Sequence, residues 1–209
     1  RLYDLCEYSR VKAFIGISAP HKKAYSYSHR QNRERQEIFP AVMIRYDYAE
    51  KLMKLAGQQV KLSIRQTAHT KTAHNIVLDI PGTDPDQNLT LLVGHYDSVA
   101  RSHGSSDNAG GSVCLIKTAQ YFAAHPPKRD LRIIWFSAEE LGLLGSFEYV
   151  RAHQEEIVQR VKLVVNVDLA GDPIGRNVMF VLGSKELMGY AGGVLREAGL
   201  LFSENLSIY

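Results

Sequence analysis

From Asn75 onward, continuous apolar runs alternate with segments whose apolar residues recur every three or four positions. The apolar runs predict buried strands, and the recurring spacing is typical of helices that pack one face against a core. The predicted strands are "NIVLDIPG", "LTLLVGHYD", "DLRIIWFSAEE", "VKLVVNVDLAG" and "NVMFVLG", and the predicted helices are "GGSVCLIKTAQYFAAH", "GSFEYVRAHQEEIVQR" and "SKELMGYAGGVLREAG". Apolar strands that alternate with helices indicate an α/β fold, with a mixed, mostly parallel sheet and helices on both faces.

Residues 1–66 lack this alternation and predict a separate, small β-rich lobe. Two short apolar runs, "VKAFIGISA" and "FPAVMIRY", flank a polar stretch without periodicity. The segment "YDYAEKLMKLAGQQV" predicts a short amphipathic helix closed by Gly57, and "VKLSIRQTA" alternates like a strand. The sequence therefore predicts two domains, 1–66 and 67–209, of which the second contains the α/β sheet.

Composition and charge narrow the class of protein. Of the 209 residues, 45% are apolar and 22% are charged, and the formal net charge is +3, as in ordinary globular proteins. So small a charge does not favour nucleic acid as a partner, and no apolar run reaches the length of a membrane span. The chain begins at Arg1 without a hydrophobic leader, so we expect any targeting segment to be absent or already removed. Cys6 and Cys114 are too far apart to form a metal-binding pair, and the apolar helical face around Cys114 predicts a core position.

The residues with the strongest chemical signal stand where the predicted strands end. They are His95 and Asp97 after the second strand, Asp107 before the following helix, Glu139 and Glu140 after the third strand, and Asp168 after the fourth. In an open α/β sheet, ligands bind beyond the carboxyl ends of the strands. We therefore expect these acids and the histidine to gather at one edge of the sheet.

Each of these residues has an ordinary explanation when taken alone, such as a helix cap for Asp107 or a partly buried histidine for His95. These explanations do not account for the residues as a group, because several carboxylates at one buried edge repel each other and uncompensated buried charge is costly. A cation relieves this repulsion, and carboxylate oxygen with imidazole nitrogen suits zinc or a similar divalent metal. Asp97 can accept a hydrogen bond from the second ring nitrogen of His95. The side chains of Glu139 and Glu140 diverge, so one can bind a metal while the other takes a proton from water.

Four motifs in this order, "GHYDS", "SSDNAGG", "FSAEELGLLGS" and "NVDLAG", resemble those of the co-catalytic di-zinc exopeptidases, which include secreted leucyl aminopeptidases and glutamate carboxypeptidases. The resemblance covers residues 75–209 and implies an exopeptidase with a peptide substrate and two zinc ions in each complete active site. It also implies a role for each motif residue: His95 and Asp168 bind the first zinc, Asp107 bridges both ions, Glu140 binds the second zinc, Glu139 is the general base, and Asp97 orients the His95 ring. A cis peptide bond between Asp107 and Asn108 is implied as well.

The N-terminal residues have a resemblance of their own. The segments "YDLCEYSRVKAFIGIS" and "IFPAVMIRYDYAEKLMKLAGQQVKLSI" are similar to the latter half of a protease-associated domain. That domain is a small β-rich module often inserted in these peptidases. This context implies a secreted or extracytoplasmic protein.

One position of the family pattern is missing. Members of the family bind the second zinc through a further histidine on a late loop, and this sequence has no histidine after Asp168. We therefore expect the chain to stop short of that loop. Besides an aminopeptidase, three alternatives stay open: a glutamate carboxypeptidase-like dipeptidase, a one-zinc glutaminyl cyclase-like acyltransferase, and a non-catalytic relative that keeps the fold without the metals.

Overall fold

The computed structural model describes residues 11–17, 40–65, 70–84, 86, 88–100, 102–171 and 177–207. The chain divides into two compact units, 1–71 and 72–209. In the first unit, β1 (Phe14–Ile17) and β2 (Ala41–Ile44) form a two-stranded parallel sheet. Helix α1 (Tyr46–Met53) follows β2 after a single residue.

Two predictions for this first unit are wrong in detail. Helix α1 ends at Met53 rather than at Gly57, and Gly57 takes a left-handed φ of +84° in the turn that follows. Residues 60–65, predicted as part of the strand "VKLSIRQTA", have no regular structure. A strand needs a neighbour to satisfy its backbone groups, and within the described ranges residues 60–65 have none. The remainder of that predicted strand lies outside the described residues.

The second unit is built on a four-stranded sheet. Its strands are β3 (Ile76–Ile80), β4 (Leu89–His95), β5 (Asp130–Phe136) and β6 (Val161–Asn166), in the spatial order β3-β5-β4-β6. Strand β4 runs parallel to both β5 and β6, and β3 runs antiparallel to β5. The predicted mixed, mostly parallel sheet is confirmed, and the carboxyl ends of the three parallel strands lie at one edge.

Helices cover both faces of this sheet, as predicted. The helices are α2 (Gly110–Ala124), α3 (Leu144–Ala152) and α4 (Gln154–Arg160). Consecutive strand residues point to opposite faces, so Ile133 and Ile134 are both fully buried but in different core clusters. Ile133 packs in a cluster with Leu115 of α2, whereas Ile134 packs with Tyr149 of α3.

Two expectations about these helices are wrong. The segment predicted as one helix, "GSFEYVRAHQEEIVQR", is two helices, because His153 has a non-helical φ of −117° between α3 and α4. Cys114, predicted to lie in the core, is exposed. The buried line of α2 runs through Gly111 and Leu115, four residues apart, and Cys114 lies to one side of that line.

The last elements form a sheet of their own. Strands β7 (Asn177–Leu182) and β8 (Phe202–Ser207) pair in parallel, and α5 (Lys185–Glu197) connects them. The Oγ of Ser184 accepts a hydrogen bond from the Leu187 N–H and so caps α5, while Gly199 has a left-handed φ of +70° after its end. Within the described residues, no helix has the length and apolar character needed to cross a membrane.

Candidate metal centre

Three of the predicted ligands meet at the carboxyl edge of the sheet. His95 is the last residue of β4, Asp107 lies in the irregular turn Ser105–Ala109 before α2, and Asp168 follows β6. The Nε2 atom of His95 is 3.0 Å from Oδ1 of Asp107 and 3.4 Å from Oδ1 of Asp168. One donor atom from each residue lies within 4.8 Å of the other two, so a single metal ion could bind all three.

The two ring nitrogens of His95 have different surroundings. Its Nδ1 atom lies 3.0 Å from the backbone carbonyl oxygen of Asp97, which can only accept, so Nδ1–H donates to that oxygen. In this tautomer Nε2 carries a lone pair and lies near carboxylate oxygens of Asp107 and Asp168. Although His95 is only 4% exposed, its Nε2 atom has no hydrogen-bond partner among the described residues. A buried, unpartnered ring nitrogen facing two carboxylates fits a metal cation.

The electrostatics of this edge favour positive charge at His95. Burial acts to lower the pKa of the imidazole, but the surrounding carboxylates act in the opposite direction and raise the pKa above its ordinary value. These carboxylates belong to Asp168, Glu139, Asp107 and Asp97. Either a proton or a metal ion on Nε2 supplies the positive charge that they stabilise.

Asp97 connects the histidine to the acidic pair. Its carboxylate accepts hydrogen bonds from the backbone N–H groups of Glu139, at 3.0 Å, and Glu140, at 3.2 Å. The carboxylate oxygen is 3.5 Å from Nδ1 of His95, farther than the backbone carbonyl oxygen of the same residue. The expected contact between the Asp97 carboxylate and the ring is therefore made mainly by the backbone.

Glu140 lies close to the three-residue cluster but is not one of its members within the described part of the chain. Its Oε1 atom accepts a hydrogen bond from the Val99 N–H at 3.1 Å. Burial raises the pKa of Glu140, and the negative charges of Asp107 and Glu139 raise it further. The structure thus brings Glu139 and Glu140 to the same edge as the cluster, where a cation would stabilise both in the ionised form.

The turn that carries Asp107 is held by the residue after it. The peptide bond between Asp107 and Asn108 is cis, which confirms the prediction. Asn108 is only 1% exposed, and its Nδ2 donates to the carbonyl oxygen of Val167 at 2.9 Å. Its Oδ1 accepts from the Gly111 N–H at 3.1 Å. Asn108 therefore ties the Asp107 turn to the residue directly before Asp168.

Close backbone packing explains the glycines of this turn. A Cβ atom on Gly110 would lie 1.9 Å from the carbonyl oxygen of Ala170, and one on Gly111 would lie 2.4 Å from that of Val167. Both distances are far below a van der Waals contact, so only glycine fits at these positions.

Sequence reasoning missed several residues that support the site. Asn108 is one, and Ser112 is another, because its hydroxyl donates to the backbone carbonyl of His95 at 2.9 Å. The indole N–H of Trp135 donates in turn to the carbonyl oxygen of Ser112 at 3.3 Å. The position of Asn108 beside a predicted ligand was the one available signal, since the partners of these side chains are distant in sequence.

The sequence is similar to those of known peptidases and related enzymes. The aminopeptidase YwaD of Bacillus subtilis is 33% identical over 134 residues, which are 63% of this chain and 29% of that protein. The leupeptin-inactivating enzyme 1 of Streptomyces exfoliatus is 35% identical over 130 residues, which are 61% of this chain and 29% of that protein. This chain thus spans less than a third of the length of these relatives.

Solved structures share the fold. A zinc aminopeptidase from Bacillus subtilis aligns with a TM-score of 0.69 at 23% identity, over 96% of this chain and 50% of that one. The LapA aminopeptidase of Legionella pneumophila aligns with a TM-score of 0.52 at 26% identity, over 64% of this chain and 37% of that one. The family model for peptidase family M28 matches residues 75–198, more than half of the chain. The chain therefore belongs to peptidase family M28.

Proposed function

We propose that this chain carries the metal-binding core of a zinc-dependent aminopeptidase. The observation that carries the proposal is the buried Nε2 atom of His95, which lacks a hydrogen-bond partner among the described residues and faces the carboxylates of Asp107 and Asp168. Imidazole nitrogen and carboxylate oxygen are both zinc ligands, and catalytic zinc sites use three protein ligands, as this cluster offers. Membership of a peptidase family supplies the reaction class.

Each residue of the site has a defined task in this proposal. His95, Asp107 and Asp168 would hold a zinc ion, and the Nδ1–H bond to the Asp97 carbonyl keeps the ring in the tautomer that leaves Nε2 available to it. Zinc supplies Lewis acidity, which polarises a peptide carbonyl and makes water more acidic. The Glu139 carboxylate takes the proton of the attacking water and delivers it to the leaving amine.

A second zinc ion is part of the proposal. Glu140 would help to hold it, and Asp107 would be shared between the two ions. The raised pKa of Glu140 supports this assignment, because burial and the charges of Asp107 and Glu139 all oppose its ionisation. A second cation beside Glu140 removes that penalty.

The aminopeptidase assignment rests on relatives that carry this activity in their names, including YwaD and several fungal leucine aminopeptidases. For the first unit we retain the protease-associated module as a proposal, supported by the match of "FPAVMIRYDYAEKL" to that module's pattern. We also propose a secreted or extracytoplasmic location, on the basis of the similarity to aminopeptidases and the resemblance to the protease-associated module.

The test uses the complete protein. Zinc is measured by atomic absorption, and hydrolysis is measured on a leucine anilide, its N-acetylated form, a peptide with a free C-terminal glutamate, and a peptide with N-terminal glutamine. Two bound zinc ions with hydrolysis of the unblocked anilide alone would support the proposal. Release of C-terminal glutamate would identify a carboxypeptidase, and cyclisation with one zinc would identify a cyclase. Absence of both metal and turnover would leave a binding protein and refute the proposal.

A further inference from the structure

Asn75 binds both ends of the segment that carries the acidic pair. It stands directly before β3, and its Nδ2 donates to the carbonyl oxygen of Gly145 at 2.9 Å. Its Oδ1 accepts from the Ser137 N–H at 3.0 Å and from the Ser137 hydroxyl at 3.3 Å. Ser137 and Gly145 are also joined directly, by a 3.0 Å bond from the Gly145 N–H to the Ser137 carbonyl. The segment 137–145 is thus a closed loop with one amide side chain at its base.

The base of this loop has no spare room. Ser137 is only 6% exposed, and a Cβ atom on Gly145 would lie 2.5 Å from Oδ1 of Asn75 and 2.3 Å from the carbonyl oxygen of Ser137. Close approach of the two backbone segments therefore requires glycine at position 145. An amide suits this position because it can donate and accept hydrogen bonds without carrying a net charge.

The tip of the same loop is held from the other side. The Asp97 carboxylate accepts from the backbone N–H groups of Glu139 and Glu140, as described above. The residue before Asp97 also contacts the Asn75 region, because the Tyr96 hydroxyl donates to the carbonyl oxygen of His74 at 2.7 Å. The loop is therefore fixed at its tip by Asp97 and at its base by Asn75.

We propose that Asn75 is a positioning residue for the acidic pair: it sets the backbone from which Glu139 and Glu140 project. The expected effect on turnover rests on the proposed peptidase function. The expected effect on the backbone of segment 137–145 rests on the hydrogen bonds alone. Misplacement of a catalytic group by about 1 Å can cost on the order of a hundredfold in rate. Loss of the Asn75 hydrogen bonds, which together we call the clamp, should therefore lower the turnover number and leave substrate binding nearly unchanged.

The test compares Asn75→Leu and Asn75→Asp with wild type in the complete protein. Leucine has the same branching and number of side-chain heavy atoms but forms no hydrogen bonds, whereas aspartate keeps an acceptor for Ser137 and loses the donor to Gly145. Asn177→Leu is the matched control, because Asn177 also donates to a backbone carbonyl, that of Leu201 at 3.1 Å, but in the β7–β8 sheet. Amide hydrogen exchange is measured on the metal-free proteins, and kcat and KM on the zinc-loaded ones.

For both Asn75 variants we expect the amides of segment 137–145 to exchange about tenfold faster or more, while those of β4 are unchanged. We expect kcat to fall by about ten- to a hundredfold with KM within about twofold of wild type. Asn177→Leu should leave both measurements as in wild type. An unchanged exchange rate in segment 137–145, an equal rise in β4, or a wild-type kcat in both Asn75 variants would overturn the positioning role. If wild type itself hydrolyses no peptide, the proposed function fails, and the exchange measurement alone decides on the clamp.

Discussion

The most informative perturbation of the metal centre leaves its ligands in place. Asn108→Leu replaces a buried amide with a side chain of the same branching and number of heavy atoms that cannot form hydrogen bonds. It removes the bond from Nδ2 to the Val167 carbonyl and the bond from the Gly111 N–H to Oδ1. The turn carrying Asp107 then loses its direct connection to the strand end before Asp168.

The expected loss of stability follows from the groups that are left without partners. Gly111 is buried, so its N–H keeps most of the penalty for an unsatisfied donor, about 1–3 kcal/mol. Val167 is only partly buried, and its carbonyl oxygen can recruit water, so its share is about 1 kcal/mol. The sum is about 2–4 kcal/mol, a large fraction of the roughly 5–15 kcal/mol that stabilises a typical domain.

The assay is equilibrium unfolding in urea on the metal-free protein, followed by a titration of zinc against a chelator. Thr118→Val is the control, because the Thr118 hydroxyl donates to the Cys114 carbonyl on an exposed part of α2 and its loss should cost less than about 0.5 kcal/mol. We expect Asn108→Leu to lose stability as calculated and to bind zinc more weakly. A destabilisation no larger than that of the control would show that Asn108 does not hold the turn.

Three further predictions concern single side chains. Glu139→Gln should lower turnover by about a hundredfold or more while zinc content stays at the wild-type level, and a wild-type rate would refute the role of Glu139 as base. Asp107→Asn should weaken all bound zinc together in a chelator titration, whereas retention of one ion at wild-type affinity would exclude a bridging role. Glu156→Gln should reduce stability at neutral pH, because hydrogen bonding to Arg132 lowers the pKa of Glu156 below its ordinary 4.5. Because the pKa of Glu156 is lower in the folded state, its carboxylate stabilises the fold at pH values above the unfolded pKa. This stabilisation is lost as pH falls through the folded pKa, so the variant and wild type should be equally stable in acid. A constant stability difference from neutral to acidic pH would contradict this linkage.

The sheet and the location of the site could be predicted from the sequence because both depend on local patterns. Continuous apolar runs separated by helical periodicity define strands with both faces covered, as β4 and β5 confirm. Because those strands are parallel, their carboxyl ends lie at the same edge of the sheet. The proximity of His95, Asp107 and Asp168 therefore follows from their positions in the chain. The resemblance to zinc exopeptidases is likewise confirmed at the level of the family.

The residues that support the site could not be predicted, because their partners are set by tertiary structure. Asn75 binds residues 62 and 70 positions away, and the Asn108 amide binds Val167 at a separation of 59. An asparagine at the start of a strand or in a turn is common, and its local context does not show which distant backbone groups it will bind. The break at His153 escaped prediction for a related reason, since the apolar periodicity continues across it.

Charge explains why asparagine holds both of the loops that bring acids to this site. The edge already contains several carboxylates that raise the pKa values of His95 and Glu140. A lysine or arginine support would compete with a metal ion for those carboxylates, and a further acid would increase their repulsion. Among the described residues, the neutral amides of Asn75 and Asn108 bind backbone groups and the Ser137 hydroxyl, so they add no charge to the edge where the acids lie. The negative charge of this edge is thereby left available to a cation, while the backbone that carries the acids is held by uncharged side chains.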